Sequence, residues 1–97
     1  MMHNPPHPGL TIRDDILPEL NLSVGAAAEC LGLHRTTFSR IINGRSSITP
    51  DFAIRLSQWL DIDAEQWLRL QLQFDLWNAR KTCKAKIRRF KVSKATA

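Results

Sequence analysis

The 97-residue sequence lacks the features that mark several large classes of protein. Its two cysteines, Cys30 and Cys83, are too few for a disulfide framework, and no metal-ligand spacing joins them to the three histidines. No apolar stretch approaches the ~20 residues that a membrane span needs, and the start has no charged residues followed by an apolar run. We therefore expect a soluble, cytoplasmic protein without metal, cofactor or small-molecule ligand, and with Cys30 buried in a helix.

Motifs for catalysis are also missing. There is no glycine-rich phosphate loop, and His3, His7 and His34 have no nucleophile or carboxylate partner at a recognisable spacing. His3 and His7 lie in a proline-rich lead, which cannot hold reacting groups to the ~0.5 Å that catalysis requires. We expect that the protein is not an enzyme.

Charge is distributed unevenly along the chain. The formal net charge is +5, but residues 1–79 carry six Lys/Arg against nine Asp/Glu, or −3, whereas residues 80–97 carry eight Lys/Arg and no acid, or +8. This predicts one domain over residues 1–80 and a basic tail over residues 81–97. The tail has no sustained apolar periodicity, which favours a disordered arm that neutralises phosphates. The alternatives are an acidic protein partner and a tail with no specific role.

Residues 23–44 have the pattern of two short helices joined by a tight turn. Ser23 suits the N-cap of the first helix, and Gly32 suits the left-handed residue that ends it. The second helix is predicted from about Arg35 to Asn43. Its apolar positions, expected to face the core, are Phe38, Ile41 and Ile42.

The outward face of that second helix carries hydrogen-bonding side chains and no acid. They are His34, Arg35, Thr36, Ser39, Arg40 and Asn43. Such groups suit insertion into a DNA major groove, where base edges present hydrogen-bond patterns and phosphates line both rims. Beyond the helix, Arg45 and Ser46 are candidates for phosphate binding, with a plain turn as the alternative. The pattern predicts a helix-turn-helix, and an ordinary helical hairpin is the alternative.

Helices are also predicted on both sides of this pair. Thr11 is expected to cap a helix from Ile12 to about Leu20, after an extended lead, and Pro18 to distort it. Thr49 and Pro50 mark the start of another, whose apolar stripe covers the pair. The sequence therefore predicts an all-α fold.

The last helix is predicted from Ala64 to about Lys81, with Asp63 and Gln66 as its capping box. It has two apolar rows, one of Trp67, Leu70, Phe74 and Trp77 and the other of Leu68, Leu72 and Leu76. Because a helix that covers one core needs only one stripe, the surplus predicts a homodimer, although burial of both rows within one chain is the alternative. The predicted interface residues are Leu68, Leu72, Leu76 and Trp77.

These residues carry a resemblance to a known family. The segments that resemble the HigA antitoxins are His7-Pro8-Gly9 with Leu17, Leu22-Ser23, 26–32, 35–44, and Ile48-Thr49-Pro50 with Ala53 and Leu56. Most specific is Trp67-Leu68-Arg69-Leu70-Gln71 with Phe74-Asp75-Leu76-Trp77. The resemblance covers roughly residues 7–80. Two features depart from the family pattern, since His34 stands where serine is common and the tail lies outside it.

The resemblance implies a compact five-helix domain like that of phage repressors, which dimerises, binds a palindromic operator in double-stranded DNA to repress its own operon, and neutralises a HigB-like, RelE-related mRNA-cleaving toxin. Residue by residue, it implies base or backbone contacts by the outward set above, with Ser23 and Arg45 at phosphates. The alternatives are a repressor that has no toxin partner and a helical adaptor that binds only proteins.

Overall fold

A computed structural model describes residues 4–91 of the chain, and within that range it contains helices and no strand. Helix α1 is continuous over three segments: Pro8–Thr11, the π-helical Ile12–Ile16, and Leu17–Leu20. The others are α2 (Val24–Leu31), α3 (Arg35–Ile42), α4 (Pro50–Leu60) and α5 (Ala64–Thr82). The predicted five-helix, all-α fold is confirmed.

Helix α1 begins earlier than the sequence predicted. Pro8 occupies its first turn, where the missing N–H costs little, and the His7 Nδ1 accepts a hydrogen bond from the Gly9 N–H at 2.9 Å. Thr11 lies inside the helix and makes no capping bond, so the predicted extended lead with a Thr11 cap is wrong. An imidazole nitrogen takes the capping role that a hydroxyl was expected to take.

Pro18 distorts α1, as predicted. Because Pro18 has no N–H to offer the carbonyl of Asp14, the turn before it widens, and the Leu17 N–H bonds to the carbonyl of Ile12, five residues back. The widened turn leaves Ile12 and Leu17 both buried.

All five helices and the loop before α4 contribute to one core. Its buried members are Ile12, Leu17, Ala27, Ala28, Leu31, Phe38, Ile41, Ile42, Ile48, Phe52, Ala53, Leu56 and Trp67. The rings of Phe38 and Phe52 lie 6.1 Å apart at its centre. Each large side chain buried here contributes roughly 1.5–3 kcal/mol, so this core fixes how α3 is presented.

The start of α1 packs directly on the end of α3. A Cβ atom at Gly9 would collide with the backbone carbonyl oxygen of Ile41, so this crossing requires glycine. Gly44 ends the α3 region with a φ of +76° and lies beside the His7 ring. The first and third helices are therefore held at backbone contact distance.

Helix α5 holds the chain that follows α3. The Ile48 N–H donates to the buried Gln71 Oε1 at 2.8 Å, and the Gln71 amide donates to Asp75 at 2.9 Å. The buried His7 ring lies edge-on against Phe74, with centroids 4.9 Å apart. Burial lowers the pKa of His7, while a backbone hydrogen bond with Ser46 and the charge of Asp75 oppose that shift.

Three sequence-based expectations outside α1 are corrected. Cys30 is exposed, because Ala27, Ala28 and Leu31 take the inner face of α2. The Asp63 side chain is exposed and makes no capping bond, so the capping box does not form. On α5 the buried line runs through Gln71, and Leu70 is exposed.

Residues 83–91 follow α5 without regular secondary structure and are exposed throughout. The molecule measures 59 Å along its longest axis and 28 and 26 Å across. The expectations for His3 and for the tail beyond Lys91 lie outside the described residues. Within residues 4–91, no helix is both long and apolar enough to cross a membrane.

Candidate nucleic-acid interface

The turn between α2 and α3 has the capping chemistry that the sequence predicted. The Ser23 hydroxyl oxygen accepts from the Ala26 N–H at 3.1 Å, which leaves the hydroxyl proton able to bind a phosphate oxygen. Gly32 has a φ of +69°, and the Leu33 N–H bonds to the carbonyl of Ala28 at 2.9 Å. The partly buried Leu33 packs on the core, so the turn angle between the helices is fixed.

Helix α3 has one apolar face and one polar face. Phe38, Ile41 and Ile42 are buried, as predicted. The exposed polar residues are His34, Arg35, Thr36, Arg40 and Asn43, and Ser39 is half-buried. Thr37, which the sequence argument omitted, is exposed as well. The helical spacing predicts the exposure of Thr37, because this residue lies beside Thr36 and Arg40 on the outer face.

The N-cap residue of α3 is His34, and its side chain makes no capping bond. Both ring nitrogens are therefore available at the positive end of the helix dipole, next to Arg35. No acidic residue occurs in the first turn of α3. This end of the helix presents hydrogen-bonding groups without a repelling carboxylate.

Asn43 lies at the other end of α3 in a small hydrogen-bond network. Its amide nitrogen donates to the Ser39 carbonyl at 2.8 Å and to the Ser39 hydroxyl at 3.2 Å. Its amide oxygen accepts from Arg13 at 3.0 Å. A base contact by Asn43 requires exchange of these bonds. Sequence reasoning missed Arg13, because it lies 30 residues away and only the fold brings it to this face.

Two ion pairs occur in the part of the chain that the structure describes, Arg13–Asp14 and Arg55–Asp51. The hydrogen bond from Arg13 lowers the pKa of Asp14, so this carboxylate stays ionised and partly cancels the charge of Arg13. Arg35, Arg40 and Arg45 are exposed and have no carboxylate partner among these residues. These three arginines supply the unpaired positive charge of the α3 face.

The loop after α3 is hydrogen-bonded to Arg40. The N–H groups of Arg45 and Ser46 bond to the Arg40 carbonyl at 2.8 and 3.2 Å, and the Arg40 Nε donates to the Ser46 hydroxyl at 3.3 Å. Arg40 and Arg45 are thereby held on one surface, where two guanidinium groups can bind the phosphates of one strand.

A second surface lies on α5. Leu72 is 55% exposed and Leu76 40% exposed, whereas Leu68 and Trp77 are half-buried. The Lys81 ammonium lies 4.2 Å from the centre of the Trp77 ring. The alternative in which both apolar rows fold into one core is therefore wrong for Leu72 and Leu76.

Comparison with known proteins finds a matching family and similar proteins. A helix-turn-helix family model matches residues 12–67. Virulence-associated protein A′ of Dichelobacter nodosus is 41% identical over 88 residues, which are 90% of this chain and 76% of that protein. Antitoxin GraA superposes with a TM-score of 0.78 at 38% identity, over 82% of this chain and 86% of its own. Pseudomonas aeruginosa antitoxin HigA, solved with the higBA promoter, has a TM-score of 0.76 at 35% identity, over 79% and 84%.

Proposed function

The chain belongs to the helix-turn-helix family that includes the HigA antitoxins, and we propose that it is the antitoxin of a type II toxin–antitoxin module. As a cytoplasmic homodimer it binds a palindromic operator, represses its own operon and neutralises a HigB-like, RelE-related mRNA-cleaving toxin. The proposed DNA contacts are Ser23, His34, Arg35, Thr36, Ser39, Arg40, Asn43 and Arg45.

One observation carries the DNA-binding part of the proposal. Helix α3 buries Phe38, Ile41 and Ile42 and turns a face without carboxylates outward, with Arg35 and Arg40 on it and Arg45 beside it. The similar HigA protein was solved with promoter DNA, which supports DNA binding by this chain. The relatives are described as antitoxins and as a virulence-associated protein, so the proposal includes no catalytic role.

The dimer part rests on α5 and on DNA geometry. Leu72 and Leu76 are exposed apolar side chains on a helix that is already anchored by Trp67 and Gln71. Two recognition helices spaced by one duplex turn, ~34 Å, read both halves of a palindrome, and linking them multiplies affinity through effective concentration.

The test is a gel-shift titration of the full chain against its own promoter fragment and a scrambled duplex of equal length, at two salt concentrations. A preference for the promoter of about a thousandfold or more supports the repressor. Equal binding to both duplexes that disappears at higher salt refutes sequence-specific repression and assigns the affinity to the basic tail.

A repressor without a toxin partner is the second candidate, because the family model that matches residues 12–67 is described only as a helix-turn-helix. Co-expression with the product of the neighbouring gene separates the two. Restored growth in cells that produce a toxic neighbour identifies an antitoxin. Operator binding without any rescue identifies a repressor that acts alone.

A further inference from the structure

Arg13 of α1 lies near both ends of the helix-turn-helix. Its Nη1 donates to the amide oxygen of Asn43, the residue that ends α3, at 3.0 Å. With Ser23, the N-cap of α2, Arg13 lines an open groove of about 400 Å³. Arg13 therefore lies between two of the proposed DNA contacts, although it belongs to neither helix of the pair.

The guanidinium of Arg13 retains two hydrogen-bond donors. Its Nε and Nη2 donate to the two carboxylate oxygens of Asp14 at 2.8 and 3.2 Å, and its Nη1 donates to Asn43. Since a guanidinium has five N–H groups, two of them have no acceptor among the residues that the structure describes. The side chain is exposed, and two N–H groups of one guanidinium match two oxygens of a phosphate in spacing and charge.

Asn43 fixes the direction of this guanidinium. Because Arg13 only donates and the Ser39 carbonyl only accepts, the amide oxygen of Asn43 must face Arg13 and its nitrogen must face Ser39. The two hydrogens of that nitrogen have two acceptors, the carbonyl and the hydroxyl oxygen of Ser39. A base that used this amide would displace these bonds, whereas a phosphate bound to Arg13 displaces none of them.

Asp14 holds the same guanidinium from the other side. Its carboxylate is ionised, because the hydrogen bond from Arg13 lowers the pKa of Asp14. The two charges offset each other, so the pair adds little to the long-range attraction of DNA. A direct contact depends instead on donors that are already in place. Two partners immobilise the guanidinium before DNA arrives, which reduces the side-chain entropy lost on binding.

We propose that Arg13 binds a phosphate of the operator through these two N–H groups, and that Asn43 is the positioning residue that holds Arg13 there. The DNA surface then includes a side chain of α1 as well as those of α2, α3 and the loop after α3. The inference rests on the proposed operator binding and refines it at one position, because Asn43 contributes through Arg13 and keeps its bonds to Ser39.

The test is the operator affinity of a variant that loses the contact and keeps the net charge. Arg13→Gln/Asp14→Asn removes one charge of each sign, so the formal net charge stays at +5. We expect this variant to bind the operator about tenfold more weakly, the size of one hydrogen bond to a charged group. The matched control is Glu65→Gln/Arg69→Gln, which removes one exposed charge of each sign from α5 and is expected to bind like the unmodified chain. Melting temperatures establish that both variants are folded.

Asn43→Ala tests the positioning role. We expect a similar loss of affinity, and no further loss when Asn43→Ala is added to Arg13→Gln/Asp14→Asn, because both changes remove the same contact. Operators with single base-pair substitutions distinguish this role from a base contact. Loss of a phosphate contact weakens binding to all of them equally, whereas loss of a base contact relaxes the preference at one base pair.

Two results would overturn the inference and leave the proposed function standing. Binding of Arg13→Gln/Asp14→Asn at the level of its control excludes the phosphate contact. A relaxed preference at one base pair in Asn43→Ala shows that Asn43 binds a base directly and excludes the positioning role. The proposed function fails separately, if the unmodified chain does not prefer the promoter over the scrambled duplex, and the inference then fails with it.

Discussion

Helices α3 and α5 both bury one face in the same core, and they differ in what they turn outward. Helix α3 presents guanidinium, hydroxyl and amide groups, which are able to bind base edges and phosphates. Helix α5 presents Leu72 and Leu76, which stabilise a structure only when another apolar surface removes them from water. The core therefore fixes the position of both helices, and the chemistry of each outer face favours a different class of partner.

The largest expected effect is the loss of stability on truncating a side chain of the core that α3 and α5 share. Phe38 is fully buried under α3, so Phe38→Ala is expected to lower the free energy of unfolding by about 3–5 kcal/mol. Urea titration measures this loss, and the adjacent exposed Thr37→Ala serves as the control. Equal stability of the two variants would contradict the division between inner and outer faces of α3.

The next effect tests the outer face of α5. Leu72→Asp places a charge in the proposed interface, and we expect a monomer by sedimentation and about hundredfold weaker operator binding, since effective concentration is lost. The fold should persist, because Leu72 is 55% exposed. Gln73→Asp, at the neighbouring exposed position, is the matched control. A dimeric Leu72→Asp protein with unchanged binding would place the interface elsewhere.

A smaller effect tests the outer face of α3. Arg40→Ala removes one guanidinium from the proposed DNA surface, and a contact of this kind contributes about 1–3 kcal/mol to binding. We expect operator affinity to fall roughly ten- to hundredfold with little change in melting temperature. Arg69→Ala, which removes an exposed guanidinium from α5, should bind operator like the unmodified chain. An unfolded Arg40→Ala protein with intact affinity per folded molecule would reverse the face assignment.

The smallest effect concerns His7, which touches both regions. Burial lowers its pKa below the ordinary 6.5, so the neutral ring is favoured in the folded state. Its contribution to stability is present above pH 6.5 and is lost as the pH falls through that value toward the lowered pKa. Melting temperatures between pH 7.5 and 5 should fall more for the unmodified chain than for His7→Asn, which keeps an acceptor for the Gly9 N–H. Identical slopes would exclude His7 as the titrating group.

The parts that the sequence predicted well depend on local chemistry. Ser23, Gly32 and Thr49 act within one turn of their own helix, and the spacing of Phe38, Ile41 and Ile42 alone fixes the inner face of α3. These features need no knowledge of the rest of the chain. The outward positions of the predicted DNA-facing side chains, with Ser39 half-buried, follow from the same periodicity.

The parts that the sequence did not predict depend on contacts between distant segments. Gly9 is required by Ile41, Asn43 is bonded by Arg13, and Gln71 is buried because the Ile48 N–H needs an acceptor. A glutamine among apolar positions gives no local signal of burial. His7 is likewise read as part of an unstructured lead until its ring is seen between α5 and the loop after α3.

The bond from Ile48 to Gln71 and the contact of His7 with Phe74 have a consequence for the operator itself. They join the loop after α3 and the start of α1 to α5, so in the proposed dimer the two α3 helices cannot shift relative to each other without breaking buried contacts. One base pair inserted between the half-sites moves one half-site by about 3.4 Å along the duplex and turns it by about 35° relative to the other. We expect a dimer whose two α3 helices have a fixed spacing to bind such an operator more weakly, even though every base in both half-sites is unchanged.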